Sequence, residues 1–210
     1  NHAEYKQLSK NLMLLHSYLL IKQLIAKQEN ELAAWMLIRV CECISNFPSH
    51  IVQILTSTVI QCQKTGFYKF AIEYANYLMR PEYRKQIHSK YKKKIESIVR
   101  HSYKEKKEEN TQTDKEKEEL SPCPYCKINN IAATALYCTS CKNNIPFCII
   151  TGKHMLLDDW SHCPKCLFPA LYSYLVEHVS KHGMQNCPMC QEEVSIDEIT
   201  RDTEPILSQY

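Results

Sequence analysis

Apolar residues recur every three or four positions from the start of the chain to about residue 100, which is helix spacing. In the first stretch Leu8, Leu12, Leu15 and Leu19 form one stripe, and Leu14, Tyr18, Ile21 and Ile25 form a second. Two apolar faces on one helix predict neighbours on two sides, as in a helical solenoid. A second helix is expected over 30–47, with Leu32, Met36, Val40, Cys43 and Phe47 in line and Pro48 as its stop. A third covers 49–64 and ends at Gly66, and a fourth covers 67–79. Pro81 then opens a fifth that carries Tyr83, Ile87, Tyr91, Ile95 and Ile98. Helices of this length with short connections are tetratricopeptide-like. Glu31-Leu-Ala-Ala and Lys69-Phe-Ala-Ile, 38 residues apart, stand at the same place in successive hairpins.

The pattern then stops. From Lys104 to Glu119 there is no apolar residue, only mixed charge, so this stretch is a tether or a solvated helical extension. Beyond it, cysteine organises the chain. Four Cys-x-x-Cys pairs stand in series: Cys123/Cys126, Cys138/Cys141, Cys163/Cys166 and Cys187/Cys190. Two thiolates two residues apart sit on one tight turn and face one point, and two such turns supply the four soft ligands of tetrahedral zinc. Four turns imply two structural zinc ions. Simple sequential pairing joins Cys123, Cys126, Cys138 and Cys141 on one ion and Cys163, Cys166, Cys187 and Cys190 on the other, giving a double zinc ribbon. The rival is a RING-like cross-brace. It would use Cys138/Cys141 with Cys163/Cys166, and Cys148/His154 with Cys187/Cys190, leaving Cys123 and Cys126 unused. Five residues separate Cys148 from His154, and eight separate His154 from Cys163, spacings that favour the sequential arrangement.

Other candidates read as structure. Cys148 lies in Ile145-Pro-Phe-Cys-Ile-Ile, a predicted buried strand, and His154 follows a Thr-Gly-Lys turn. His178 and His182 are four apart on an expected helix over 171–181, a spacing that can bind metal but is common on half-exposed helices. Cys41 and Cys43 point to different helix faces and, with Cys62, read as core thiols. Ribbon knuckles usually carry Gly directly after the second Cys, yet Lys127, Lys142, Leu167 and Gln191 stand there. Ser195-x-x-Glu198 is a capping box, and beyond Arg201 the sequence looks frayed.

Composition changes the picture in three ways. The chain has 210 residues, of which 44% are hydrophobic, enough for a core and two domains. A net charge of +3 creates no global field demanding nucleic acid or membrane, and no apolar run reaches membrane-spanning length. The predicted fifth helix is locally basic, with Arg84, Lys85, Lys90, Lys92, Lys93, Lys94 and Arg100. Its aromatics fall on the buried stripe, which leaves no stacking platform for bases. No Gly-framed Ser and no paired acids in an apolar setting are present, so no catalytic residue and no enzymatic activity is expected. The expectation is a mainly α chain: a tetratricopeptide-like solenoid end over 1–102, a charged linker over 103–121, a two-zinc domain over 122–194 and a tail over 195–210. Because the chain opens on Asn1 inside a helical pattern, it also reads as the C-terminal piece of something longer.

Several runs resemble a known family. Phe47-Pro-Ser-His-Ile-Val, Leu55-Thr-Ser-Thr-Val-Ile, Leu78-Met-Arg-Pro-Glu-Tyr-Arg and Tyr91-Lys-Lys-Lys-Ile-Glu are similar to the C-terminal region of WD-repeat core subunits of intraflagellar transport complex A. The resemblance continues through Ser121-Pro-Cys-Pro-Tyr-Cys, Ile145-Pro-Phe-Cys-Ile, Thr151-Gly-Lys-His-Met, Asp158-Asp-Trp and Cys163-Pro-Lys-Cys-Leu-Phe-Pro-Ala-Leu-Tyr. It covers most of residues 30–190. The resemblance implies a solenoid ending in a zinc-binding domain and a non-enzymatic role in the cilium and its basal body. Expected functions are complex assembly, retrograde transport and ciliary entry of membrane-protein cargo. Partners are the other subunits of the complex, with cargo or adaptors met indirectly and no nucleic acid. The eight paired cysteines match the family's knuckles. The alternative, from a different class, is a RING-type ubiquitin ligase module in a solenoid scaffold, with an exposed apolar groove using Trp160 and Ile149.

Overall fold

The computed structural model describes residues 2–105, 118–127, 130–181 and 186–202, which form two compact units. One unit comprises Ile21–Lys117. The other joins Asn1–Leu20 to Glu118–Tyr210, a grouping that helix periodicity alone does not indicate. Helix α1 (His2–Ala26) therefore contributes to both.

The helical unit continues with α2 (Asn30–Glu42), α3 (Ile51–Thr65), α4 (Tyr68–Leu78), α5 (Pro81–Arg84) and α6 (Ser89–Glu105). Helix α3 packs against α2 on one side and α4 on the other, and α4 meets α6. Ala34, Ile38, Cys62, Phe67 and Ala71 form a buried cluster, where Phe67 lies 4.8 Å from the Trp35 ring. Small Ala33, Ala34, Ala71 and Ala75 are fully buried and let neighbouring backbones approach. Gly66 closes α3 in the left-handed conformation, with φ 86°, as expected of a C-terminal glycine. Cys41 and Cys62 are buried as the sequence suggests, whereas Cys43, also expected in the core, is only half-buried just past the end of α2; the Cys41 thiol donates to Thr58 Oγ1 at 3.1 Å.

Two helix expectations are corrected. Helix α2 stops at Glu42 instead of 47. Pro48 disfavours helical geometry at the residue before it, so Phe47 sits at φ −127°, and the chain crosses the interval in two 3-10 turns, Ile44–Asn46 and Pro48–His50. The fifth helix is two helices. His88 breaks it by accepting the Lys90 amide on its ring Nδ1 at 3.2 Å, in the manner of an N-terminal cap, and α6 restarts there. Ile87 and Ile95 are buried, while Lys90, Lys93, Lys94 and Arg100 are exposed and Arg84 pairs with Glu96 at 3.3 Å.

The α1 stripes also divide unequally. Met13, Leu14, His16, Ser17, Leu20, Ile21 and Leu24 are buried. Leu8, Leu12, Leu15 and Leu19 face solvent at 47–62% exposure, and Ile25 is exposed too.

In the cysteine-rich unit, β1 (Leu120–Pro122) pairs antiparallel with β2 (Asn130–Ala132), and β3 (Trp160–His162) with β4 (Pro169–Leu171). Helix α7 (Tyr172–Lys181) follows β4 directly. The core is Phe147, Cys148, Ile149, Met155, Trp160, Leu171, Leu175, Val179 and Val194, and Met13 of α1 joins it. The expected buried strand over 145–150 is not a strand. Its residues are largely buried, but the backbone turns at Cys148 and only an isolated bridge, Phe147 to His154, remains. The capping box at Ser195 and Glu198 forms on a single 3-10 turn, Ile196–Glu198. Asp202 is tied back by its amide to the Trp160 carbonyl at 2.8 Å and by its carboxylate to His162 Nδ1 at 2.8 Å. The expected linker's central residues, the last residues of the tail and His182 lie outside the described residues.

Candidate metal centres

Each Cys-x-x-Cys pair builds the same small turn. The amide four residues after the first cysteine donates to that cysteine's carbonyl: Lys127 to Cys123 at 3.0 Å, and Lys142, Leu167 and Gln191 to Cys138, Cys163 and Cys187 at 2.9 Å. Such a turn closes only if the donor residue is left-handed. Lys127, Lys142, Leu167 and Gln191 accordingly have φ of 59°, 60°, 61° and 64°. These are the positions where glycine is usual, and the strain of a non-glycine residue there is of order 1–2 kcal/mol. Inside the turn, amides point at sulfur: Lys165 N to Cys163 Sγ and Met189 N to Cys187 Sγ, each at 3.4 Å.

The turns assemble in two pairs. Cys123, Cys126, Cys138 and Cys141 converge with all four sulfurs within 4.8 Å of one another, and so do Cys163, Cys166, Cys187 and Cys190. Across the turns, the sulfurs stand 3.8 Å apart for Cys123–Cys141 and Cys126–Cys138, 4.0 Å for Cys163–Cys190 and 3.9 Å for Cys166–Cys187. A tetrahedral ion with Zn–S near 2.3 Å separates its sulfurs by about 3.8 Å, so both donor sets fit zinc in chemistry and in size. The first cysteine of every pair is buried and the second half-buried. No disulfide joins any of the twelve cysteines.

The thiols are not equivalent. Backbone amides, that of Cys141 foremost, hold the Cys138 thiol down to about 6. A hydrogen bond from Cys166, and behind it the amides of Cys190 and Met189, holds Cys187 down to about 5. Burial pushes Cys123 up to about 12, and the bond to Cys187 pushes Cys166 up. One thiol in each cluster is thus the most acidic, and each set would hold a cation through deprotonated sulfurs.

The surroundings of the clusters differ. Among the described residues the first has Ile131 and Ile145 as its buried apolar company, whereas the second adjoins the unit's main core. His154 connects the two regions. Its ring Nδ1–H donates to the Met155 carbonyl at 3.0 Å, its Nε2 accepts from Ser121 Oγ at 2.7 Å, and its amide donates to the Ala133 carbonyl at 2.6 Å. Burial depresses its pKa. Cys148 and His154 join neither cluster among the described residues. His178 bonds to the Asn186 carbonyl at 3.4 Å and joins neither cluster among the described residues. Trp160 and Ile149, which a ligase groove would need at the surface, are 1% and 0% exposed. Sequence reasoning missed His16, whose buried Nε2–H donates to the Ile149 carbonyl at 2.7 Å. Its position amid apolar neighbours on α1 was the available signal.

Comparison with known proteins gives consistent matches. A family model described as "IFT121, second zinc finger domain" matches residues 146–195. WD repeat-containing protein 19 of Mus musculus is 46% identical over 204 residues, covering 97% of this chain and 14% of the relative. The protein of the same name in Homo sapiens is 47% identical over 195 residues, covering 93% and 14%. WD repeat-containing protein dyf-2 of Caenorhabditis elegans is 44% identical over 185 residues, covering 87% and 12%. The chain thus spans about one seventh of the length of the curated relatives it matches.

Proposed function

We propose, on the strength of similarity to WD repeat-containing protein 19 along nearly the whole chain, that this is part of a WD-repeat core subunit of the intraflagellar transport A complex. In this reading the helical unit ends a tetratricopeptide-like solenoid. Cys123, Cys126, Cys138 and Cys141 hold one structural zinc, and Cys163, Cys166, Cys187 and Cys190 hold a second. When bound, each ion locks two turns together. Four thiolates fill its coordination sphere, so no position is left for water or substrate, and the module acts as a rigid assembly joint, not as an enzyme. The chain's own residues do the rest: backbone amides orient the sulfurs, and His154 ties the first metal turn to the second module.

The protein works in cilia, at the basal body and in the cytoplasm that supplies them. There it supports complex assembly, retrograde transport and entry of membrane-protein cargo, meeting the other subunits of the complex directly. The observation that carries the reading is the pair of closed four-sulfur sets on a chain 46% identical to a WD repeat-containing protein over 97% of its own length. None of the described helices is long and apolar enough to cross a membrane.

Affinity capture of tagged 1–210 from ciliated cells tests it, beside a variant with Cys163→Ser and Cys166→Ser. The intact chain is expected to recover a fixed set of complex A subunits, and the variant to lose them. Equal recovery by both would remove the assembly role from the metal module. Recovery of ubiquitin-conjugating enzymes with autoubiquitination would replace the reading with a ligase one.

A further inference from the structure

We infer that Cys148–Gly152 is a fifth knuckle, one that takes no metal and instead seats the first half of helix α1. The backbone signature is that of the four metal turns. Gly152 N donates to the Cys148 carbonyl at 2.8 Å, and Cys148 N donates to the carbonyl five residues on, Lys153, at 2.8 Å. The same second bond joins Cys138 to Asn143, Cys163 to Phe168 and Cys187 to Glu192 at 2.8–3.0 Å. Gly152 is left-handed, with φ 76°, at the place of Lys127, Lys142, Leu167 and Gln191. Ile150 N points at Cys148 Sγ at 3.3 Å, as Lys165 N and Met189 N point at their sulfurs. The bridge from Phe147 to His154 flanks this turn as Tyr137–Asn144 and Asn186–Glu193 flank two of the metal turns.

The ligand set sets this turn apart. Thr151 occupies the position of the second cysteine. Its side chain bonds to Cys148, while its Oγ1 accepts the Lys153 amide at 3.2 Å. Leu171 N makes a second amide bond to Cys148 Sγ at 3.3 Å, so the sulfur is enclosed by donors from its own turn and from β4. At the position after the first cysteine, three of the metal turns carry Pro, which has no N–H; here Ile149 keeps its N–H and donates it to the Pro169 carbonyl at 3.0 Å. That fixes the Ile149 carbonyl as the acceptor for His16 Nε2–H at 2.7 Å, with Met13 packed into the same core. Hydroxyl and amide hydrogen bonds thus do for this turn what an ion does for the others, and the carbonyl at its tip holds a helix.

The inference rests on the zinc reading proposed for the four metal turns, and the test separates the two. Native mass spectrometry counts ions on intact 1–210, and hydrogen exchange follows the amides of residues 13–20. Wild type is expected to hold two zinc ions. Thr151→Val and His16→Phe are both expected to keep both ions. Exchange over 13–20 is expected to accelerate about tenfold or more in His16→Phe, which leaves the Ile149 carbonyl buried without its donor, and by less in Thr151→Val, which loosens the turn that carries that carbonyl. His16→Gln, which keeps a donor, is expected to restore part of the protection. Three ions in wild type, one ion in Thr151→Val, or unchanged exchange in His16→Phe would overturn the proposal. Should Thr151→Val lose both ions by misfolding, His16→Phe decides alone, because it lies outside the turn. Zero ions in wild type with the exchange result intact would sink the zinc reading and leave the helix seat standing.

Discussion

Cys126→Ser would separate the two proposed metal modules by how much apolar core each has of its own. Around the first cluster, among the described residues, Ile131 and Ile145 are the buried apolar side chains apart from the thiols. At about 1.5–3 kcal/mol each they contribute about 3–6 kcal/mol. A structural zinc contributes about 10–16 kcal/mol, so the ion would outweigh this core about two- to fivefold. Around the second cluster Phe147, Ile149, Met155, Trp160, Leu171, Leu175, Val179 and Val194 are all buried, and at the same rate they contribute about 12–24 kcal/mol. Losing the first ion should therefore unfold its module, whereas losing the second should leave a loosened but compact core. In Cys126→Ser, native mass spectrometry should show one ion. Amides of 130–145 should exchange near unfolded rates while those of 146–199 stay protected. In Cys166→Ser, Trp160 should remain buried by its emission. Retained protection over 130–145 with only one ion bound would refute the reasoning, because two isoleucines would then be holding a module ascribed to metal.

Single residues carry further expectations. Gly66→Ala meets nothing within 4 Å of the added carbon, so its cost is purely conformational, about 1 kcal/mol, and a denaturation midpoint measures it. Phe67→Ala removes a ring that is 1% exposed and packs on Trp35, and should cost about 3–5 kcal/mol with a visible change in Trp35 fluorescence. His16 and His154 have pKa values depressed by burial, so the unfolded chain takes up protons first as pH falls through about 6.5, and stability declines in that window. Urea midpoints of the zinc-loaded protein at pH 7.5 and 6.0 should differ, and by less in a His16→Gln, His154→Gln variant.

Local signals were legible in the sequence where one residue type settles one geometry. Gly66 ended α3 as expected, and the Cys-x-x-Cys turns formed on their own spacing. The sequential grouping of the cysteines is favoured by the spacings around Cys148 and His154, which do not suit a cross-brace, and the sulfurs meet across 18 and 27 residues accordingly. The features that escaped depend on distant partners. Nothing in the heptad-like leucines says that Leu8, Leu12, Leu15 and Leu19 face solvent while Met13 and His16 are buried, because the burying surface arrives more than a hundred residues later. Cys148 read as a strand because its apolar neighbours hide the turn. Its knuckle shows only in backbone bonds and in a threonine where a second cysteine would announce it.

The separation of 133 residues between His16 and Ile149 also sets a schedule. A ribosome adding about 5–20 residues per second needs about 7–27 s between making the two, and during that time Met13 and His16 leave the exit tunnel without the surface that will cover them. Both four-cysteine sets, by contrast, are complete as soon as their last cysteine emerges. Synthesis of this polypeptide therefore has a built-in interval in which one sticky helical face waits for its seat, and the ordering favours chaperone engagement at the start of the chain over its cysteine-rich end.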